Sequence, residues 1–377
     1  MKIAQITPYF LPNSGGVEEY VYQISKFLKG KGVDVDVLTT TILRGSKKRL
    51  KRVETVDGIR VFRFGPIFSF GDFGQFWPLF IHILLKGNYD AVHVHVYRHP
   101  HTLISVLICK LKKIPCIITT HSPFHPSKNL KRKILTLFFD KLFKWYLKLF
   151  DKIILINDAE KERFEFIKNK VEVIPIGIPK FFFTKNKSKM KHKNKTILYV
   201  GRIHRSKGLE FLLKSAMKVK DKSIKIVLVG PVEDEEYYAK LKKLTLNSRI
   251  DVKFLGKVER KKLLKMYDNS HLVVIPSQYE AFGIVILEAF ARGKPVIAVK
   301  SDGPSFLINH GENGFLIEYG DVKSATKYIR LLLRNKKLYK KISKNNIERA
   351  KQFIWEKIAE KITMVYEEVV KSKYSRN

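Results

Sequence analysis

Glu280 and Glu288 stand eight residues apart in SQYEAFGIVILEAFARGKPVIA, a stretch that follows the apolar run HLVVIP and leads into PVIAV. If Glu280 ends a loop and a helix starts near Gly283, the two carboxylates are separated by up to about 12 Å along the helix axis. That length suits a sugar at one end and a ribose at the other. Between them, the backbone N–H groups of Phe282, Gly283 and Ile284 open a helix and lack intrahelical partners, so they can hold a diphosphate. The plainer alternative is a buried helix with a capping glutamate. Against it, Ile284–Ala291 is apolar nearly all round except for Glu288, and a carboxylate in such a setting needs a partner.

VGRIHRSKGLEFLL places Arg202 and Lys207 directly after an apolar run, where two cations can neutralise a departing diphosphate. Lysines are common throughout this chain, so the spacing by itself is also that of a solvated loop. Near the N-terminus, ITPYFLPNSGGVEEYV sets Gly15 and Gly16 between a strand-like run and an amphipathic helix. A helix start with bare amides favours an anion, although a tight turn explains two glycines equally well, and no GxGxxG is present. His121 ends PCIITTH ahead of Ser122-Pro123 and is a catalytic candidate by its place at a strand end. His93 and His95 alternate in AVHVHV without a carboxylate or cysteine at ligand spacing, and read as packed strand residues. No metal ligands are expected. Asp34-Val35-Asp36 matches a metal-binding DxD, but it alternates with Val33, Val35 and Val37 as a half-buried strand does.

These residues need a scaffold of strands that end in loops. Seven β-rich runs (KIAQITP, VDVDVLTT, IRVFRF, AVHVHV, PCIITTH, KIILIN, VEVIPIG) alternate with helical patterns, and a second series restarts at KTILYVG and continues through KIVLVG, VKFLG, HLVVIPS, PVIAV and GFLIE. Helical periodicity is clearest at Val17, Tyr20, Val21, Ile24, Phe27 and Leu28, with Gly30 able to end the helix; from about Asp321 onward the chain is helical by pattern. A length of 377 residues suits two domains of roughly 150–200 residues. The lysine-rich segment 185–195 reads as the linker, dividing 1–184 from 196–354. Two parallel α/β sheets put ligand sites at the carboxyl ends of their strands, with His121 aimed into the cleft between the domains.

Composition narrows the partners without choosing one. The formal net charge of +38 draws phosphates, anionic lipid or nucleic acid, or reflects a basic composition spread over the whole chain. Residues 128–152 interleave lysines with Leu, Phe, Trp and Tyr; as a basic amphipathic helix they would lie on an anionic membrane surface or cover the first domain's core. Cys109 and Cys116 read as buried free thiols. The chain shows neither a signal peptide nor a membrane-spanning run, so a cytoplasmic protein is expected, at most peripheral at the inner face of the membrane, and the Asn186 and Asn194 sequons are linker.

Taken together, GGVE at Gly15–Glu18, YDAVHVH at Tyr89–His95, TTH ending at His121, VIPIGIP at Val173–Pro179, VGRIHRSKG at Val200–Gly208, EAFGIVILEA at Glu280–Ala289, SDGPSFLI at Ser301–Ile308 and GENGFLI at Gly311–Ile317 resemble the family 4 glycosyltransferases. The resemblance covers most of the chain in order. It implies the GT-B fold, two Rossmann-like domains facing each other across a central cleft, the first on the acceptor side and the second binding the donor. It also implies transfer of a hexose-type sugar from a UDP- or GDP-sugar to a hydroxyl with retention of configuration and no required metal or other cofactor. By position, Glu280 faces the donor sugar, Glu288 binds the ribose, Arg202 and Lys207 clamp the diphosphate, Gly16 supplies a phosphate amide, His121 lies beside the reacting sugar, and the loops near Gly230 and Val258 receive the base. The last helix, 355–377, is expected to pack back on the first domain. Ile176 and Ser122 depart from the family pattern, which bears on acceptor or sugar preference. A lipid-linked glycan or a cell-surface polysaccharide precursor is the favoured acceptor. An epimerase or phosphorylase on the same fold is the alternative, and a non-enzymatic nucleic-acid binder a remote one. No nucleophile is well placed, so front-face and double-displacement chemistry both stay open.

Overall fold

A computed structural model of the chain describes residues 1–69, 74–121, 134, 138, 140–141, 144–184, 195–246, 248 and 250–375. The chain divides into two compact units, Met1–Gly177 with Trp355–Asn377, and Ile178–Ile354.

In the first unit the apolar runs become β1 (Lys2–Ile6), β2 (Asp34–Thr40), β3 (Val53–Val56), β4 (Ile59–Phe64), the short ribbon β5 (Phe68–Ser69) and β6 (Gln75–Phe76), then β7 (Ala91–His95), β8 (Cys116–Thr119), β9 (Lys152–Leu155) and β10 (Val171–Val173). Among the described residues, one sheet runs in the order β10-β9-β8-β7-β1-β2-β4-β3, parallel except for β3 against β4. Helices α1 (Gly16–Gly30), α2 (Phe80–Lys86) and α3 (Pro100–Leu111) join the strands. Tyr20, Val21, Ile24 and Leu28 of α1 are fully buried, as their three- and four-residue spacing requires.

The second unit holds β11 (Lys195–Val200), β12 (Ile224–Val229), β13 (Asp251–Phe254), β14 (Leu272–Ile275), β15 (Val296–Val299) and β16 (Phe315–Ile317), all parallel in the order β13-β12-β11-β14-β15-β16. Its helices are α4 (Leu209–Met217), α5 (Glu235–Leu246), α6 (Arg260–Asn269), α7 (Ile284–Ala291), α8 (Asp302–Leu307), α9 (Val322–Arg334) and α10 (Lys336–Lys351). Leu209, Leu212 and Leu213 of α4 share a core with Ile329 and Leu332 of α9 and Ile342 of α10. The last helix, α11 (Trp355–Tyr374), returns to the first unit, where it packs on α1. Its Trp355, Ile358, Ala359, Ile362, Val365, Tyr366 and Val369 are buried on one stripe.

The structure differs from several expectations. The chain enters the second unit at Ile178, ahead of the expected linker, because Phe182 packs against Tyr267 and Arg292 donates to the Phe182 carbonyl. Residues 185–194, with both sequon asparagines, lie outside the described residues, and Lys195 already begins β11. β2 is not half-buried: it lies inside the sheet, covered on both faces after Asp34. Buried Asp36 accepts from Arg60 and Tyr89, so it has a structural role. The segment 128–152 is not one helix to its end. Lys144–Leu149 is a 3-10 turn, and Lys152 starts β9. Tyr146, Leu147 and Phe150 enter the core while Trp145 stays half exposed. Much of 122–143, including Ser122, lies outside the described residues. Cys109 and Cys116 are buried and free.

Candidate functional site

Both sheets reverse their direction of winding at the first strand, β1 between β2 and β7, and β11 between β12 and β14. At such a point two neighbouring loops leave the sheet on opposite faces and open a crevice at the carboxyl ends of the strands.

In the second unit those loops follow β11 and β14, and both carry candidate residues. After β11 the chain turns through Gly201, with the Tyr199 hydroxyl donating to the Arg202 carbonyl (2.7 Å), and forms the 3-10 turn Arg205–Lys207, capped by the side chain of His204. Lys207 Nζ reaches Glu280 Oε1 at 2.6 Å, with the two side chains only 16% and 23% exposed. The Glu280 loop is held from the start of α8. Ser301 Oγ accepts from the Glu280 N–H at 3.2 Å, and the Gly303 N–H donates to the Glu280 carbonyl at 3.0 Å. A Cβ at Gly303 would lie 2.3 Å from the Phe282 backbone, so only glycine allows this approach. Phe282 turns its ring into the core against Phe306 and Phe353. Gly283 (φ 82) caps α7, which leaves the backbone amides of 282–284 at the helix start.

On α7, Glu288 accepts a hydrogen bond from the Tyr267 hydroxyl (2.6 Å). Tyr267 is fully buried on α6, and desolvation together with the neighbouring carboxylate raises its phenol well above the usual range, so the O–H is a permanent donor. Arg202 pairs with Glu233 at 2.6 Å on the surface instead of joining Lys207 and Glu280. Val258 is half-buried just before the N-cap of α6, and the Gly230 N–H donates to the Gly256 carbonyl (2.8 Å), tying together the two loops expected to receive a base.

In the first unit Gly16 opens α1 as expected, but a protein carboxylate is already there. Glu18 folds back so that a Cβ on Gly15 would meet its Oε2 at 2.3 Å, and Arg44 pairs with its other oxygen at 2.9 Å. An incoming anion at Gly16 must share this helix start with Glu18. His121 follows β8 by two residues with φ 54, a left-handed backbone uncommon outside glycine. Its half-buried ring meets Tyr20 edge-on at 4.8 Å and His95 at 3.1 Å (Nε2 to Nδ1), and burial pushes its pKa down to about 3. It is a neutral imidazole at neutral pH.

The fold thus brings Lys207, Glu280 and the start of α7 together, and sets Arg202 and Glu288 each on a separate partner. Sequence reasoning missed Tyr267 and Glu233, which lie 21 and 31 residues from the groups they bind and carry no local signal. It also missed that His93 and His95, packed in β7 as expected, are joined by hydrogen bonds to Gln5, Thr119 and Tyr366. Among the described residues no group of three or more His, Cys, Asp or Glu is arranged to hold a metal ion, and no helix is long and apolar enough to cross a membrane.

Comparison with known proteins gives two family matches that meet at residue 180. The model described as Glycosyltransferase Family 4 matches residues 14–180, and that described as Glycosyl transferases group 1 matches residues 180–349. The phosphatidyl-myo-inositol mannosyltransferase of Mycobacterium leprae is 26% identical over 99% of this chain and 98% of its own. Sucrose-phosphate synthase from Thermosynechococcus elongatus superposes with a TM-score of 0.78 at 23% identity, covering 98% of this chain and 99% of its own. Anabaena HepE, in a structure with UDP-glucose, gives 0.75 at 20% identity, with 98% and 100% covered.

Proposed function

Since the chain belongs to the GT-B glycosyltransferases of the group 1 and family 4 type, we propose that it moves a hexose-type sugar from a UDP- or GDP-sugar to a hydroxyl acceptor, with retention of configuration and without an obligatory metal. The observation that carries this reading is the Lys207–Glu280 pair at 2.6 Å, beside the amides that open α7 and at the switch point of the second sheet.

Each cation is paired with a carboxylate, Lys207 with Glu280 and Arg202 with Glu233. A diphosphate entering at the α7 start competes for both. Lys207 turns to the leaving group, where charge grows as the glycosidic bond breaks, and Glu280 is released toward the positively polarised donor sugar. One group thereby stabilises each end of the breaking bond. Glu288, its rotamer held by Tyr267, accepts from the ribose hydroxyls through its remaining lone pairs. The loops of Gly230 and Val258 take the base, Gly16 an oxygen of the diphosphate, and His121 contacts the transferred sugar.

The acceptor we assign is a lipid-linked glycan or a cell-surface polysaccharide precursor. Its support is three exposed large apolar side chains of the first unit, Ile134, Phe138 and Trp145, which are 58%, 61% and 50% exposed in a lysine-rich stretch of the sequence. Such a surface makes peripheral contact with anionic lipid without spanning it. The M. leprae relative named for a phosphatidyl-inositol substrate agrees with this assignment.

The test is calorimetric titration of UDP, GDP and ADP into the protein and into Glu288→Ala. One nucleotide should bind with micromolar affinity, weakened about 10- to 100-fold in the variant, the range for losing a hydrogen bond to a charged group. Equal binding of all three with no effect of the substitution would mean that the basic surface alone attracts phosphates, and the donor-site assignment would fail.

A further inference from the structure

Behind His121 lies a chain of polar side chains with no solvent contact. His121 Nε2 meets His95 Nδ1 at 3.1 Å, His95 Nε2 meets Gln5 Oε1 at 2.7 Å, Gln5 Nε2 donates to the Tyr366 hydroxyl at 2.9 Å, and that hydroxyl lies 2.6 Å from His93 Nδ1. His93 Nε2 ends the chain on Thr119 Oγ1 at 2.8 Å, with the Tyr20 hydroxyl 3.3 Å beyond. Gln5, His93, His95, Thr119 and Tyr366 are fully buried. They come from β1, β7, β8 and the last helix, α11.

With the Gln5 carbonyl oxygen facing His95, the position of every proton in this chain follows. The Gln5 carbonyl oxygen only accepts, so His95 carries its hydrogen on Nε2. A neutral His95 then has a lone pair on Nδ1, and His121 must donate to it from Nε2. This leaves the lone pair of His121 on Nδ1. At the other end, Tyr366 accepts from Gln5 and donates to His93 Nδ1, which puts the His93 hydrogen on Nε2, where Thr119 accepts it. No donor faces a donor anywhere along the path. Burial pushes the His93 and His121 rings down to about 3 and His95 well below its usual value, which keeps all three neutral. The orientation of the Gln5 amide governs the direction: turning it over would reverse every hydrogen in the series.

We propose that Tyr366 and Gln5 are positioning residues that act through His95 to hold His121 in its Nε2–H tautomer, so that the ring offers the ligand a hydrogen-bond acceptor, Nδ1. The functional meaning rests on the reading above, in which His121 contacts the transferred sugar. An acceptor nitrogen takes a hydrogen bond from a sugar hydroxyl and repels a phosphate oxygen, so the tautomer decides which part of the donor the ring faces. α11 thereby acts on the site through one phenol without touching His121.

The experiment uses the full-length, ligand-free protein labelled with 15N only in histidine. Long-range 1H–15N correlation spectra report which ring nitrogen bears hydrogen, and His121→Gln identifies the His121 signals by their loss. At neutral pH the expected spectrum has His121 and His95 protonated at Nε2 and bare at Nδ1. In Tyr366→Phe the Gln5 amide nitrogen loses its hydrogen-bond partner, and the His121 nitrogen shifts should move toward each other as both tautomers become populated. His101, whose Nε2–H is held by the His95 carbonyl at 3.0 Å, should keep its shifts and so shows that the fold is intact. A wild-type His121 protonated at Nδ1, or His121 shifts unchanged in Tyr366→Phe, would overturn the proposal. Because no nucleotide or sugar is present, this outcome is independent of the donor-binding titration, and either reading can fail without the other.

Discussion

On the proposed reading, Glu280 has two occupations that cannot be held at once, the ion pair with Lys207 and contact with the donor sugar during transfer. Substitutions at the two ends of the pair should therefore act in opposite senses. Glu280→Gln removes the internal competitor for Lys207, and the nucleoside diphosphate should bind as tightly as before or several-fold more tightly, a range set by the modest worth of a partly exposed ion pair. Turnover should nevertheless fall by about 100-fold or more, as it does when a group stabilising the transition state is lost. Lys207→Met should weaken nucleotide binding itself by roughly tenfold or more. Calorimetry for affinity and steady-state turnover of a nucleotide sugar separate the two, and equal losses of affinity in both variants would refute the assignment of opposed roles.

At the scale of elements, strand runs were readable because parallel strands buried on both faces are continuous apolar segments, as in PVIAV and HLVVIP. β3 was not, since VETV is short and lies at the sheet edge with an alternating half-exposed pattern. The glutamate and lysine of the second unit could be found because their motifs sit immediately after strands. What secures them, Ser301, Gly303 and Tyr267, comes from other elements through the tertiary fold. The 144–149 turn shows the same limit. Its alternation of lysines and large apolar residues reads as an amphipathic helix, whereas the fold sends Tyr146 and Leu147 inward and leaves Trp145 out, with Lys144 lying 4.2 Å from the centre of the Phe166 ring. An exposed indole beside cations should insert at a lipid interface, and burying much of its surface is worth about 2 kcal/mol. Sedimentation with vesicles of anionic phospholipid should retain the protein more than vesicles of neutral phospholipid. Trp145→Ser should weaken retention by about tenfold or more. Retention that ignores the substitution would assign the attraction to bulk positive charge.

For the molecule as a whole, the buried histidines and the net charge of +38 both make acid a destabilising condition, for reasons that salt distinguishes. Burial holds His93, His101 and His121 at about 3 and His99 at about 4, all in the first unit, against an ordinary value of 6.5. For a base whose folded pKa is depressed, the unfolded chain takes up the proton first. The stability these rings contribute is therefore complete above about pH 6.5 and is lost progressively as pH falls toward the folded values. Between pH 6.5 and 5 each ring costs about 2 kcal/mol at 1.36 kcal/mol per pKa unit, and four together about 8, a large part of a typical folding free energy of roughly 5–15 kcal/mol. Thermal unfolding should be nearly independent of pH from 8 to 7, and the transition of the first unit should then drop by on the order of 20 °C by pH 5. Repulsion among surface lysines adds to this but is screened within about 3 Å in molar salt, while the desolvation of a buried ring is not. The acid shift should accordingly persist in 1 M sodium chloride and shrink in His99→Gln. If salt abolished it, the surface charge would be the agent, and the buried rings would have to be taking up protons in the folded state.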